Sequence, residues 1–183
     1  MLISGKGNDK VLNPFIGVAP SPVGNCFIAW DIGVYGNDQL ICFLAFIEDT
    51  KGLMTAKTDL ARLLPDCSFR EDNKEAKNLI ARIFDKQDKS QIKLLIKGTE
   101  FQEKVWKALT QIDFGATISY QELAELIGSK NSTRAVASAV AKNNISYLIP
   151  CHRIIRKSGD INKYRWGVLC KKKLIDWESE VLK

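Results

Sequence analysis

Histidine occurs once in these 183 residues, at position 152. That scarcity excludes any multi-histidine metal site. The five cysteines, Cys26, Cys42, Cys67, Cys151 and Cys170, are odd in number, widely spaced and include no Cys-x-x-Cys pair. Neither a disulfide framework nor a zinc site is expected from such spacing, and no metal is assigned. No apolar run approaches the roughly 20 residues that span a bilayer. The opening Met1-Leu2-Ile3-Ser4-Gly5-Lys6 lacks the apolar core of a signal peptide. These absences predict an intracellular, cytoplasmic protein with reduced thiols and no membrane association.

What is present is an ordinary globular balance, 45% apolar and 26% charged residues, in a chain long enough for one large domain or two small ones. Charge is divided unevenly. Residues 1–90 hold 11 basic against 12 acidic side chains, and residues 91–183 hold 16 against 9. Two readings of the basic second half stand side by side: a surface facing a polyanion such as nucleic acid, or a merely solvated basic face.

Residues 24–30 and 40–47 are apolar and aromatic-rich, with Gly33, Gly36, Asn37 and Asp38 as turn residues between them, which predicts antiparallel strands. Residues 59–64 read as a short helix before Pro65. Residues 73–84 place Ala76, Leu79, Ile80 and Ile83 at helical spacing. A polar linker is expected over 85–90, and residues 92–96 read as one more strand. The second half is mostly helical. Thr99 opens a segment with Val105, Trp106 and Leu109 on its buried side, and Gly115 closes it. Ser119 and Glu122 form a capping box for a helix that stops at Gly128. Another helix starts near Ser132 and ends near Lys142, so the pair has helix-turn-helix spacing. Residues 166–182 read as a terminal helix, with Lys171, Lys172 and Lys173 facing solvent.

Chemistry concentrates at Ile149-Pro150-Cys151-His152-Arg153-Ile154-Ile155, after the apolar run 145–149. A thiolate is the reactive form of cysteine, and an imidazole with nearby arginines is a setting that lowers a thiol pKa. In an extended strand adjacent side chains diverge, but Pro150 restricts Ile149 to extended backbone and predicts a strand ending in a sharp turn at Cys151. A bridging water also suffices to couple thiol and imidazole. On adjacency alone the pair reads either as a reactive thiol or as a buried structural cysteine beside a satisfied histidine.

That heptapeptide resembles the active-site signature of the O6-alkylguanine-DNA alkyltransferases, also called methylated-DNA–protein-cysteine methyltransferases. Phe101-Gln102-Glu103-Lys104-Val105-Trp106, Ser119-Tyr120-Gln121-Glu122-Leu123-Ala124, Arg134-Ala135-Val136-Ala137, Asn143-Asn144 and Tyr164-Arg165-Trp166-Gly167-Val168 follow in the family's order. The likeness runs from about Thr99 to Glu178 and is looser before it, where Ser21-Pro22-Val23-Gly24 resembles the family's early strand.

The resemblance implies an α/β protein. Residues 1–90 would form an N-terminal ribonuclease H-like sheet-and-helix domain. Residues 91–183 would form a mostly helical DNA-binding and catalytic domain with the helix-turn-helix. Its implied activity is irreversible transfer of the alkyl group of O6-methylguanine, or O4-methylthymine, in duplex DNA to Cys151. His152 would take the thiol proton through a water, Glu178 would orient the imidazole, and Tyr120 would donate to guanine N3. Ser132, Thr133, Arg134 and Ala135 would meet DNA, with Arg134 filling the stack vacated by the flipped base. Asn143, Tyr164, Arg165 and the backbone of Ile154 would build the guanine pocket. No cofactor is implied, the partner is double-stranded DNA containing O6-alkylguanine, and the working form is a monomer. Asn162 and Lys163 stand where the family usually has small residues, which bears on the alkyl groups accepted. A lesion-binding protein without transfer activity is the alternative, and a cysteine hydrolase a third reading.

Overall fold

Residues 26–31 are buried without interruption, so the strand they occupy is covered on both faces rather than alternating inward and outward. The computed structural model describes all residues except 6–11, 34–35, 89–90 and 162. By contacts the chain divides into two compact units, Met1–Lys97 and Gly98–Lys183.

In the first unit the strands are β1 (Leu2–Ser4), β2 (Phe15–Ser21), β3 (Gly24–Gly33), β4 (Gly36–Ile47), β5 (Arg70–Glu71) and β6 (Lys93–Ile96). They form one sheet in the order β1-β6-β4-β3-β2-β5. The expected antiparallel pairing appears as β3 on β4, with Phe27 opposite Ala45, and the strands run on through Gly33 and Gly36. Strand β2, not predicted from pattern, pairs antiparallel with β3. Two helices flank the sheet: α1 (Thr50–Leu63), capped by Asp49, and α2 (Asn73–Phe84), capped by Asp72. Helix α1 is far longer than the predicted 59–64, because the Asp49 cap and the buried Ala56 and Leu60 extend it upstream. Strand β6 pairs with β1 and β4, which is why the division falls after Lys97 rather than at residue 90.

The second unit holds α3 (Glu100–Leu109), α4 (Tyr120–Leu126), α5 (Thr133–Ala141) and α6 (Val168–Val181). Capping boxes at Thr99–Gln102 and Ser119–Glu122 start α3 and α4. Helix α4 ends where predicted: Gly128 has φ 69°, and the Ser129 and Gly128 N–H groups return to the Ala124 and Glu125 carbonyls in a Schellman arrangement. Trp106 Nε1 donates to the Ala139 carbonyl at 2.9 Å and locks α3 to α5. A two-residue parallel pair, β7 (Ile118–Ser119) with β8 (Ile154–Ile155), joins the start of α4 to the segment after Cys151. No helix among the described residues is long and apolar enough to cross a membrane.

Helix α2 rests on β2 through Gly17, where a Cβ would lie 2.5 Å from Ala76 Cβ and 2.8 Å from the Asp72 carbonyl oxygen. Neither neighbour is a flexible tip that can swing aside. Gly17→Ala is therefore expected to destabilise the first unit by about 1–3 kcal/mol through overpacking, read as a lower urea midpoint in equilibrium unfolding.

Candidate active site around Cys151

The apolar run 145–149 is not a strand. Ile145, Ser146 and Ile149 are buried in successive turns, and the Asn143 side chain supplies the hydrogen bonds a sheet neighbour would have given. Asn143 Oδ1 accepts from the Ile145 N–H at 2.9 Å, and Nδ2 donates to the carbonyls of Ile145 (3.2 Å) and Ile149 (2.9 Å). The turn expected at Pro150 is present: with φ −78° and ψ 62° it forms an inverse γ-turn, closed by the Cys151 N–H on the Ile149 carbonyl at 2.7 Å. Cys151–Arg153 then makes one turn of 3₁₀ helix before β8. Cys151 and His152 thus share a tight helical turn, and the divergence expected of strand neighbours does not apply.

Cys151 is 5% exposed. Its sulfur lies 3.1 Å from Asn143 Nδ2, which donates to it, and 3.9 Å from the Tyr164 hydroxyl. Burial pushes the thiol above its ordinary range, against the opposing pull of Asn143, Tyr164 and Lys171. Sequence reasoning predicted a thiol lowered by its neighbours. Desolvation wins instead, so at neutral pH Cys151 is a neutral thiol that needs a base to ionise.

The next residue in the same turn carries a basic side chain. His152 is fully buried, and its Nε2 lies 2.8 Å from Glu178 Oε1. An ionised carboxylate only accepts, so Nε2 carries the proton and Nδ1 presents a lone pair. Nδ1 is buried and has no hydrogen-bond partner among the described residues. Burial lowers the imidazole pKa and Glu178 opposes that shift, which leaves a neutral ring. Glu178 is 1% exposed. Burial alone would raise it, but hydrogen bonds from His152 and Arg153 hold it at about 2. Arg153 donates from Nε at 3.0 Å and from Nη2 at 2.8 Å, and the Gly115 N–H adds a bond at 3.0 Å. Arg153 Nη1 is tied in turn to the Ile112 carbonyl at 2.6 Å.

The structure brings together Cys151, His152, Glu178, Asn143 and Tyr164 from the predicted set. Tyr120 starts α4, one residue beyond the Ser119–Ile155 pair. It is half-buried, and burial with the neighbouring Cys151 raises its hydroxyl pKa, keeping it a donor. Arg165 is exposed, its guanidinium bonded to the Asn143 carbonyl at 3.1 Å and Asn144 Oδ1 at 2.8 Å. The Ile154 carbonyl is engaged by Lys171 Nζ. Ser132, Thr133, Arg134 and Ala135 lie at the start of α5, the first two half-buried and the last two exposed. Lys163 is exposed with φ 39°, and Asn162 lies outside the described residues. Among the described residues no cluster of histidine, cysteine, aspartate and glutamate is placed to hold a metal ion.

Lys171 overturns an expectation. It was assigned to solvent with Lys172 and Lys173, yet it is 1% exposed, and its charge favours the Cys151 thiolate. The signal was available in the helix register: Lys171, Leu174 and Glu178 recur at three- and four-residue spacing on one buried stripe of α6. Ser146 was also missed. It is fully buried and paired with the Tyr164 hydroxyl at 2.7 Å, and nothing in its local sequence marks it.

These shifts set an acid dependence. His152 is held below its ordinary 6.5, so its contribution to stability is lost as pH falls below that value. Glu178 is held at about 2 against an ordinary 4.5. Its contribution is complete above 4.5 and lost as pH falls towards 2. Urea midpoints followed by tryptophan fluorescence should decline in two stages on acidification. Glu178→Gln should remove the lower stage and reduce the midpoint at neutral pH.

Residues 100–180 match the family model described as the 6-O-methylguanine DNA methyltransferase, DNA binding domain. The chain is 35% identical over 170 residues to the Escherichia coli bifunctional transcriptional activator/DNA repair enzyme Ada, covering 89% of this chain and 45% of that one. It is 33% identical over 166 residues to a methylated-DNA–protein-cysteine methyltransferase of Methanosarcina barkeri, covering 91% of this chain and 98% of that one. Against the Ada protein and a Kluyveromyces lactis methyltransferase it spans under half of the relative's length, 45% and 44%. Among solved structures, Mycobacterium tuberculosis OGT in complex with DNA is similar with TM-score 0.68 and 29% identity, over 91% of this chain and 93% of that one. With near-complete coverage of the Methanosarcina protein, and the cysteine-histidine turn inside the matched segment, the chain belongs to the methylated-DNA–protein-cysteine methyltransferase family.

Proposed function

We propose that the protein repairs DNA by moving the methyl group of O6-methylguanine, and to a lesser extent of O4-methylthymine, from duplex DNA onto Cys151, each molecule reacting once. The observation that supports this reading most directly is a buried Cys151 followed in one 3₁₀ turn by a buried His152 whose Nε2 is tied to Glu178. The names of the relatives, and the DNA in the Mycobacterium complex, support it.

The chemistry follows from the geometry. His152 Nδ1, the free lone pair of the ring, receives the thiol proton through a bridging water, and the electron pair stays on sulfur. The thiolate attacks the methyl carbon, a C–S bond forms, and the C–O6 bond breaks. Guanine departs with its charge relieved by a proton or hydrogen bond from Tyr120 at N3. Glu178 balances the imidazolium, as the third member of an acid–base–orienter set does, and Lys171 favours the thiolate while it exists. Asn143, Tyr164, the Arg165 backbone and the Ile154 backbone line the guanine pocket. Because sulfur is the final acceptor, the reaction requires no cofactor.

In this reading the first unit is ribonuclease H-like, and α4 with α5 is a helix-turn-helix. Small Ala135 and the exposed Arg134 on α5 face DNA, with Ser132 and Thr133 at its first turn, and Arg134 takes the place of the flipped base. The protein acts as a cytoplasmic monomer.

Incubation with a duplex holding one O6-methylguanine should add one methyl to the Cys151 peptide by mass spectrometry. An unchanged mass, with lesion-dependent binding intact in Cys151→Ala, would support a lesion-binding protein instead. Single-turnover rates should fall by about 100-fold or more for His152→Asn and by about 10- to 100-fold for Tyr120→Phe. Arg134→Ala should slow repair in duplex DNA and leave reaction with free O6-methylguanine base unchanged.

A further inference from the structure

Tyr147 has a backbone its side chain disfavours. Its φ is 64°, and the Leu148 N–H closes on the Ser146 carbonyl at 2.7 Å, a γ-turn of the rare positive-φ kind. Among described non-glycine residues only Lys163 shares a positive φ. A bulky residue keeps such a conformation only where its surroundings over-determine it. Here the turn accomplishes two placements. Ser146 goes inward to the Tyr164 hydroxyl, and the Tyr147 ring goes onto His152, with centroids 5.9 Å apart and planes within 14°.

Further aromatics hold that ring in place. Trp177 meets Tyr147 edge-on at 5.9 Å, Phe114 meets Trp177 at 5.9 Å, and the Arg153 guanidinium lies 5.4 Å from the Phe114 centroid. Trp177 precedes Glu178 and Phe114 precedes Gly115, so the aromatic row adjoins the same residues that fix the carboxylate. The charged and titratable groups acting on His152 are Glu178, which favours its cation, and Arg153 and Lys171, which oppose it. Cys151 is the proton donor, and Tyr147 supplies the ring face.

We propose that Tyr147 is a positioning residue for alkyl transfer: its π face supports the His152 imidazolium and holds the imidazole plane while Glu178 holds Nε2. The negative face of an aromatic ring attracts a stacked cation, and buried His152 otherwise has one carboxylate against two cations. The inference rests on the transfer reading above, in which the thiol proton passes to Nδ1 and the electron pair remains on sulfur. A weaker imidazole base leaves more Cys151 protonated, so losing the ring moves thiolate formation to higher pH.

Tyr147→Phe and Tyr147→Leu separate ring from volume. Cys151 alkylation by iodoacetamide is followed across pH on its own peptide, without DNA, and methyl transfer is measured from an O6-methylguanine duplex. Tyr147→Phe should match the wild type. Tyr147→Leu should transfer methyl about tenfold more slowly, with its alkylation limb displaced to higher pH. Where the leucine variant fails to fold, Tyr147→Asn, which accepts positive φ, serves in its place. A displaced limb with the ring lost supports the proposal. A limb superimposable on the wild type, or Tyr147→Phe as slow as Tyr147→Leu, overturns it. Absence of methyl transfer by the wild type would defeat the repair reading, while the DNA-free alkylation curves still decide the role of Tyr147.

Discussion

A single buried carboxylate fixes the second unit. Glu178 receives donors from His152, Arg153 and the Gly115 backbone, so it ties helix α6 to the 3₁₀ turn and to the loop after α3. An ionised group taken out of water costs several kcal/mol unless its lone pairs are filled. Here both oxygens are filled: Oε1 by His152 and Arg153 of the 3₁₀ turn, and Oε2 by Arg153 and the Gly115 N–H of the loop after α3. The same bonds settle the tautomer of His152. Folding and chemistry are therefore set by one group, and a change at Glu178 acts on both.

Around that anchor the thiol is restrained rather than activated. Burial holds Cys151 protonated while Asn143, Tyr164 and Lys171 lean the other way. A buried neutral thiol reacts slowly with passing electrophiles, which would suit a residue proposed to react only once. In the proposed transfer, ionisation depends on the His152 imidazole, and the imidazole depends on its carboxylate. The reactive state is built in steps, each conditional on the geometry before it.

Much of this was legible in the chain because it is written in local rules. The helix start at Thr99, the capping box at Ser119, the stop at Gly128 and the turn at Pro150 each follow from local residue types. The pairing of His152 with Glu178, 26 residues apart, entered through likeness to a family, since no local rule joins residues so far apart in the chain. Residues 145–149 read as a strand because apolar runs do not distinguish sheet burial from turn burial; the Asn143 amide decided it. Lys171 was hidden by composition: three consecutive lysines look solvated, and only the stripe shared with Leu174 and Glu178 places one inside. Tyr147 left no signal, because a positive φ at a bulky residue is imposed by tertiary contacts.

The division of the chain after Lys97 bears on how sequence likeness is spread along it. Every group in the reactive cluster belongs to the second unit, where a substitution must satisfy hydrogen-bond directions as well as volume. The sheet of the first unit asks chiefly for apolar residues of suitable size, a demand many sequences meet. Drift is thus tolerated in one half and resisted in the other. The residues matched by the family model, 100–180, lie wholly within the unit that carries the stricter demand.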